Sequence, residues 1–168
     1  MRVYTTTLHT PIGPFTLVGG EDGICASGFT DRVEDLRIRD CDPAAIERVQ
    51  DLGEYSRAVA AYFDGDISAI DGIPVTQQGS TFHRAAWREL RQIPAGIPIS
   101  YSELAARLEH PAASRAAGTA CGRNAVALIV PCHRVIRMDG GLGGFAWNVD
   151  RKRWLLDYEA KIAQHSPD

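Results

Sequence analysis

Ser100-Tyr-Ser-Glu-Leu-Ala-Ala-Arg-Leu-Glu-His-Pro-Ala-Ala-Ser-Arg-Ala-Ala-Gly-Thr-Ala-Cys-Gly122 reads as two short helices joined by a tight turn. Ser100 to Glu103 has the S-x-x-E form of a capping box, which predicts a helix from there to about Leu108. Pro111 restarts the chain, because its ring offers no N–H and clashes with a preceding helical turn. A second helix is predicted over Ala112–Cys121, stopping near Gly122. Together they have the form of a helix-turn-helix.

The second helix is made of small residues. Ala112, Ala113, Ser114, Ala116, Ala117, Gly118, Thr119 and Ala120 leave Arg115 as the only large side chain before Cys121. Such a helix adds little core but can come close to another surface. Composition alone favours tight packing on another helix. The sharper reading presses it into a DNA groove, with Arg115 as its projecting cation.

Upstream, Ser80 is placed to cap a helix over about Thr81–Gln92, with Phe82, Ala86, Leu90 and Ile93 along one face. Pro94 and Pro98 then break the chain. Downstream, the apolar run Ala125–Val130 reads as a buried strand or extended segment. It ends at Pro131, so Cys132, His133 and Arg134 stand where the chain leaves the core. Asp139-Gly-Gly-Leu-Gly-Gly144 lacks the Lys-Ser/Thr ending of a phosphate-binding loop and reads as a mobile loop or hairpin turn. Asn148 caps a final helix over about Val149–Ala163, with Trp154, Leu155, Tyr158 and Ile162 expected on its inner face.

The first half reads as a small α/β scaffold without a catalytic pattern. Arg2–Leu8, Phe15–Gly19 and Ile24–Phe29 are predicted strands, separated by the turn signals Pro11-Ile-Gly-Pro14 and Glu21-Asp-Gly23. Ile46, Val49, Leu52, Val59 and Phe63 suggest one or two helical stretches over Pro43–Phe63, with Gly53 weakening continuity. The expected fold class is α/β (α+β): a sheet domain over residues 1–76, then a mostly helical domain over residues 77–168.

The bulk numbers bound the function. No apolar run approaches the roughly 20 residues a membrane span needs, and MRVYTTTLHTPIGPF lacks the apolar stretch of a secretory signal. Cys25, Cys41, Cys121 and Cys132 form no CxxC pair, and a reducing cytoplasm is expected. The net charge of −3 hides an asymmetry: residues 1–76 hold 6 Lys/Arg against 13 Asp/Glu, residues 77–168 hold 12 against 8. Contact with a polyanion is therefore expected on the second half.

Cys132 is the candidate nucleophile. A free thiol is only a few per cent ionised near pH 7, so a base or positive field must serve it, and His133 and Arg134 are the immediate candidates. Glu159 is anomalous on the last helix. Its neighbours three and four residues away, Leu155, Leu156, Ile162 and Ala163, offer a carboxylate no partner. Glu159 either edges the apolar stripe or is buried against a polar group, and a carboxylate holding a histidine that serves a cysteine fits triad logic. His9, His83, His110, His133 and His165 are scattered, and no Cys/His set has metal-ligand spacing, so no metal is expected.

Val130-Pro-Cys-His-Arg-Val135 closely resembles the active-site motif of the O6-alkylguanine-DNA alkyltransferases. The resemblance extends to Ile99-Ser-Tyr-Ser-Glu-Leu-Ala105, Ser114-Arg-Ala-Ala-Gly118, Gly122-Arg-Asn124, Gly143-Gly-Phe145 and Arg151-Lys-Arg-Trp-Leu-Leu-Asp-Tyr-Glu159, in matching order throughout roughly residues 80–160. Thr10-Pro-Ile-Gly-Pro14 is similar to the family's opening hairpin.

The resemblance implies a ribonuclease-H-like sheet domain followed by a winged-helix-like domain with the helix-turn-helix. It implies direct-reversal repair of double-stranded DNA from the minor groove: Cys132 takes the alkyl group from O6-alkylguanine, and from O4-alkylthymine by the same chemistry, once per molecule. His133 would act on the thiol through a water, Glu159 would orient the imidazole, Tyr101 would bond the guanine, and Asn124 would tie the recognition helix to the active-site segment. Arg115 would fill the space left by the flipped base, with Ser114, Ala116, Ala117, Gly118, Thr119, Ala120, Arg123 and Tyr101 at the DNA. Tyr101, Cys121, Val135, Phe145, Ala146 and Trp147 would line the pocket. No cofactor, metal or membrane is implied, and a monomer is expected.

Three positions depart from the family. Phe145 stands where relatives often have Tyr, Ala146 where Ser is frequent, and Trp147 where Gly is frequent, so the size of substrate accepted is open. The main rival is an alkyltransferase-like damage sensor, which binds alkylated DNA without removing the lesion but lacks the cysteine. A transcriptional regulator would not need Cys132, His133 and Glu159 together. A cysteine hydrolase would turn over repeatedly.

Overall fold

The computed structural model describes residues 2–39 and 42–165; Cys41 lies outside them. Its architecture is mixed α/β, with a small N-terminal sheet unit and a helical C-terminal unit. The first unit comprises Met1–Gln78 with Ala125–Ile129, the second Gly79–Asn124 with Val130–Asp168.

In the first unit β1 (Tyr4–Thr10), β2 (Gly13–Gly20) and β3 (Gly23–Gly28) form an antiparallel meander. The two-residue connection Pro11-Ile12 is tied by Thr10, whose Oγ1 donates to Gly13 O at 2.7 Å and accepts from Ile12 N–H at 3.2 Å. β4 (Glu47–Arg48) pairs parallel to β1, giving the order β3-β2-β1-β4. α1 (Glu54–Phe63) buries Val59 and Tyr62.

The helix expected to begin near Pro43 does not form there. Pro43–Ala45 make a single 3-10 turn, after which Glu47 N–H donates to Val3 O at 3.1 Å and Val49 N–H to Thr5 O at 2.9 Å. Edge pairing with β1 takes the backbone groups a helix would have used, and Gly53 at φ 62° prevents α1 from starting earlier.

In the second unit α2 (Thr81–Leu90) is capped by Ser80, whose Oγ accepts from His83 N–H at 3.1 Å. β5 (Ile99–Ser100) runs into α3 (Tyr101–Arg107), and Ser100 Oγ accepts from Glu103 N–H at 3.0 Å. α4 (Ser114–Gly122) follows and completes the helix-turn-helix, starting two residues later than expected because Pro111 and Ala112 form the turn. β6 (Val135–Ile136) pairs parallel to β5, and α5 (Val149–His165) closes the unit. None of the described helices is long and apolar enough to cross a membrane.

Two further expectations are corrected. Ala125–Val130 is buried, but it is a turn with one bridge, Val126 to Ser27, rather than a strand. The inner face of α5 is Lys152, Leu155 and Glu159, all fully buried. Trp154 and Tyr158 lie half-buried beside it, stacked on each other with ring centroids 4.9 Å apart. Two ionisable groups take positions that apolar periodicity assigned to aromatics, because they have partners waiting inside.

Candidate active site

Pro131 (φ −82°, ψ 66°) turns the chain so that Cys132 N–H donates to Val130 O at 2.8 Å, and Cys132–Arg134 forms one 3-10 turn. That turn leaves the Cys132 thiol half-buried and drives the next two side chains inward: His133 is fully buried, Arg134 nearly so. α5 meets them with Glu159. His133 Nε2 lies 3.0 Å from Glu159 Oε2, Arg134 Nε donates to Oε1 at 2.8 Å, and Arg134 Nη2 donates to Oε2 at 2.9 Å. The remaining guanidinium nitrogen, Nη1, donates to Ile93 O at 2.8 Å.

Burial alone would raise the Glu159 carboxyl, but the His133 and Arg134 contacts outweigh it and hold the group well below the ordinary carboxylate range. An ionised carboxylate only accepts hydrogen bonds. In a neutral imidazole the ring proton therefore sits on Nε2, and Nδ1 carries the lone pair. Nδ1 is buried without a protein hydrogen-bond partner among the described residues, so it is the ring atom that remains to receive a proton.

A second set of groups surrounds the thiol from α3, α4 and α5. Tyr101 is the first residue of α3, fixed there by the Ser100 cap and by pairing of Ser100 with Ile136. Burial, then the Cys121 and Cys132 sulfurs, push the Tyr101 phenol up to about 12, which keeps it a neutral donor near pH 7. Its hydroxyl fits because residue 143 is glycine: a Cβ there would stand 2.7 Å from Tyr101 Oη, and φ is 73°. Cys121, buried on α4, is pushed up by its burial and by Cys132, and stays a protonated thiol.

Lys152 is the residue that sequence reading missed. Its Nζ donates to Val135 O at 2.7 Å and to Gly144 O at 3.1 Å, and sits 3.5 Å from Tyr101 Oη. Burial lowers its pKa, with the Cys132 and Cys121 sulfurs opposing. A signal existed: Lys152, Leu155 and Glu159 share the i, i+3, i+7 spacing of one helical face.

The other expected residues divide by position. Asn124 Nδ2 donates to Val130 O at 2.8 Å, tying the end of α4 to the residue before Pro131. Val135 is buried beside Lys152, Phe145 and Trp147 are half-buried, and Ala146 is exposed. On α4, Arg115, Ala116, Thr119 and Arg123 point outward and Ser114 and Gly118 are half-buried. Ala117 and Ala120 are wholly buried, which corrects their expected place at the DNA. They face inward, where Trp87 Nε1 donates to Ala120 O at 2.9 Å and small side chains let the indole approach the helix. The tight-packing reading of the small-residue helix thus holds on its inward side, and its outward side is exposed. No group of three or more His, Cys, Asp or Glu among the described residues is placed to hold a metal ion.

Residues 81–161 match the family model described as 6-O-methylguanine DNA methyltransferase, DNA binding domain, and residues 3–77 the one described as 6-O-methylguanine DNA methyltransferase, ribonuclease-like domain. The methylated-DNA--protein-cysteine methyltransferase of Salmonella typhimurium is 38% identical over 168 residues, spanning 96% of this chain and 98% of that one. The protein of that name from Methanosarcina acetivorans is 36% identical, spanning 94% and 98%. Among solved structures, Mycobacterium tuberculosis O6-methylguanine methyltransferase has a TM-score of 0.81 at 30% identity, with 98% and 96% of the two chains covered. Mycobacterium tuberculosis OGT in complex with DNA has a TM-score of 0.80 at 30% identity, with 95% and 94% covered.

Proposed function

The chain belongs to the 6-O-methylguanine DNA methyltransferase family and repairs DNA by alkyl transfer, and from that premise we propose that Cys132 accepts the alkyl group of O6-alkylguanine, once per molecule. The observation that carries the assignment is the half-buried thiol followed directly by a buried imidazole on an ionised carboxylate, His133 Nε2 to Glu159 Oε2 at 3.0 Å.

In this reading His133 Nδ1 receives the thiol proton, directly or through one water. Glu159 stabilises the imidazolium that results, and Arg134 keeps Glu159 ionised and in place. The sulfur attacks the alkyl carbon in line, the C–O6 bond breaks, and its electron pair passes to the guanine. Tyr101 Oη supplies a proton to the leaving base, and the nearby Lys152 ammonium offsets the charge left on the phenol. The product is a thioether, which has no easy leaving reaction, so the protein is consumed stoichiometrically.

Duplex DNA would meet the outward face of α4 from the minor groove. Ala116 and Thr119 let the helix lie close, Arg123 adds charge, and Arg115 fills the gap left by the extruded nucleotide. Extrusion costs a few kcal/mol, less for a weakened pair, which favours damaged bases. A single copy of the chain holds every group this scheme uses.

The test is intact-protein and peptide mass after incubation with a duplex containing O6-methylguanine. One methyl group in place of one hydrogen on the Cys132 peptide, stopping at one equivalent, is expected. Tight binding of that duplex without modification would transfer the assignment to a damage sensor.

A further inference from the structure

Leu128 is fully buried at φ 73°, in the left-handed region, and Ile129 N–H donates to Ala127 O at 2.9 Å across it. That is a γ-turn of the positive-φ kind, rare and strained for a branched L-residue. The chain enters a second γ-turn at Pro131, where Cys132 N–H meets Val130 O at 2.8 Å. The sulfur is thus delivered by two tight turns in succession. A strained turn persists only where its surroundings over-determine it.

What holds the first turn lies a hundred residues earlier in the chain. Ser27 is fully buried in β3. Its N–H donates to Ala125 O at 2.9 Å, its carbonyl accepts Ala127 N–H at 3.2 Å, and its Oγ donates to Ala127 O at 2.8 Å. Ala127 O therefore takes two hydrogen bonds, one from Ser27 and one from within the turn. Gln77 Oε1 adds an anchor by accepting Ala125 N–H at 3.0 Å.

We propose that Ser27 is a positioning residue for alkyl transfer: its bonds to Ala125 and Ala127 hold the strained Leu128 turn and thereby set where the Cys132 sulfur stands. The proposal rests on Cys132 being the acceptor. Without the Ser27 hydroxyl, Ala127 O loses one of its two hydrogen bonds, the strained turn is held less firmly, and its relaxation shifts Val130 O and the turn hung from it. A displacement of about 1 Å at a reacting atom costs on the order of a hundredfold in rate.

The experiment compares Ser27→Ala with Thr16→Val in the full-length protein. Ser27→Ala keeps both backbone bonds and leaves Ala127 O its bond from Ile129. Its single-turnover transfer rate is expected to fall by about ten- to a hundredfold, with duplex affinity unchanged and the same factor lost on free O6-methylguanine. Thr16→Val removes a buried hydroxyl of the same unit, bonded to Thr30 O at 2.6 Å and to Thr7 Oγ1 at 2.8 Å. It should lower the thermal midpoint while leaving the rate as it was. A wild-type rate in Ser27→Ala, or equal slowing in both variants, overturns the proposal. Should Ser27→Ala not fold, Gln77→Ala at its half-exposed position decides: slower transfer at unchanged affinity supports the clip, an unchanged rate sinks it. A wild-type protein left unalkylated at Cys132 removes the acceptor assignment and this proposal with it, whereas normal wild-type transfer beside an unaffected Ser27→Ala removes this one alone.

Discussion

Arg134 grips both carboxylate oxygens of Glu159 through two parallel hydrogen bonds, at 2.8 and 2.9 Å, with the two side chains 5% and 0% exposed. Removing one partner from such a pair leaves a charge buried without compensation, which costs about 3–5 kcal/mol. Arg134→Met should therefore destabilise the protein by about that amount in urea denaturation. A loss within experimental error would mean that the carboxylate is protonated or solvated.

Acid should weaken the protein through the same group. Glu159 has a folded pKa below its unfolded one, so its contribution is fully present above the ordinary glutamate value of about 4.3 and is lost as pH falls from there toward the depressed folded value. The stability gap between wild type and Glu159→Gln should shrink as pH is lowered from 7 to 3. A gap independent of pH would show that Glu159 does not titrate between the two states.

Cys132→Ala should abolish transfer and leave duplex binding intact, because the thiol lies off the outward face of α4. Transfer retained by this variant, detected by peptide mass, would assign the nucleophile elsewhere.

Tyr101→Phe should slow transfer by about a hundredfold, the scale of a lost proton donor, with little effect on affinity for the duplex. Its phenol, at about 12, stays neutral across the working range, so the pH profile below 9 should keep its shape and only drop in height. An unchanged rate would mean that water protonates the leaving base.

Arg115→Ala removes an exposed side chain and should leave stability untouched. Transfer from duplex DNA is expected to fall by about tenfold, or about 1.4 kcal/mol, while transfer from free O6-methylguanine is preserved. Equal losses on both substrates would end its role in the base stack.

Much of the site was legible because the residues concerned break local rules. Glu159 among apolar neighbours on a helix left two readings, the edge of the apolar stripe or burial against a polar group, and the structure has the second, with His133 and Arg134 as its partners. Helix starts were legible from side-chain chemistry at Ser80 and Ser100. What stayed hidden depends on distant contacts. Apolar periodicity placed Trp154 and Tyr158 inside α5, since it has no means of knowing that Val135 and Gly144 carbonyls await the Lys152 ammonium. Likewise, the run Ala125–Val130 looks extended by composition, but it turns at Leu128, and the carbonyl that begins the turn accepts a bond from Ser27, far away in the chain. Pro43–Leu52 lost its helical character to backbone donors pairing with β1.

The outward positions of α4, Ala116 and Thr119, contribute nothing to the core, so enlarging them to glutamine or leucine would leave folding, solubility and thermal tolerance as they are. The same changes thicken the helix by several carbon–carbon bonds where the proposed docking needs it flush. Such alleles would pass any selection for a sound protein and drift silently in a population. Their cost would surface only when an alkylating agent arrived.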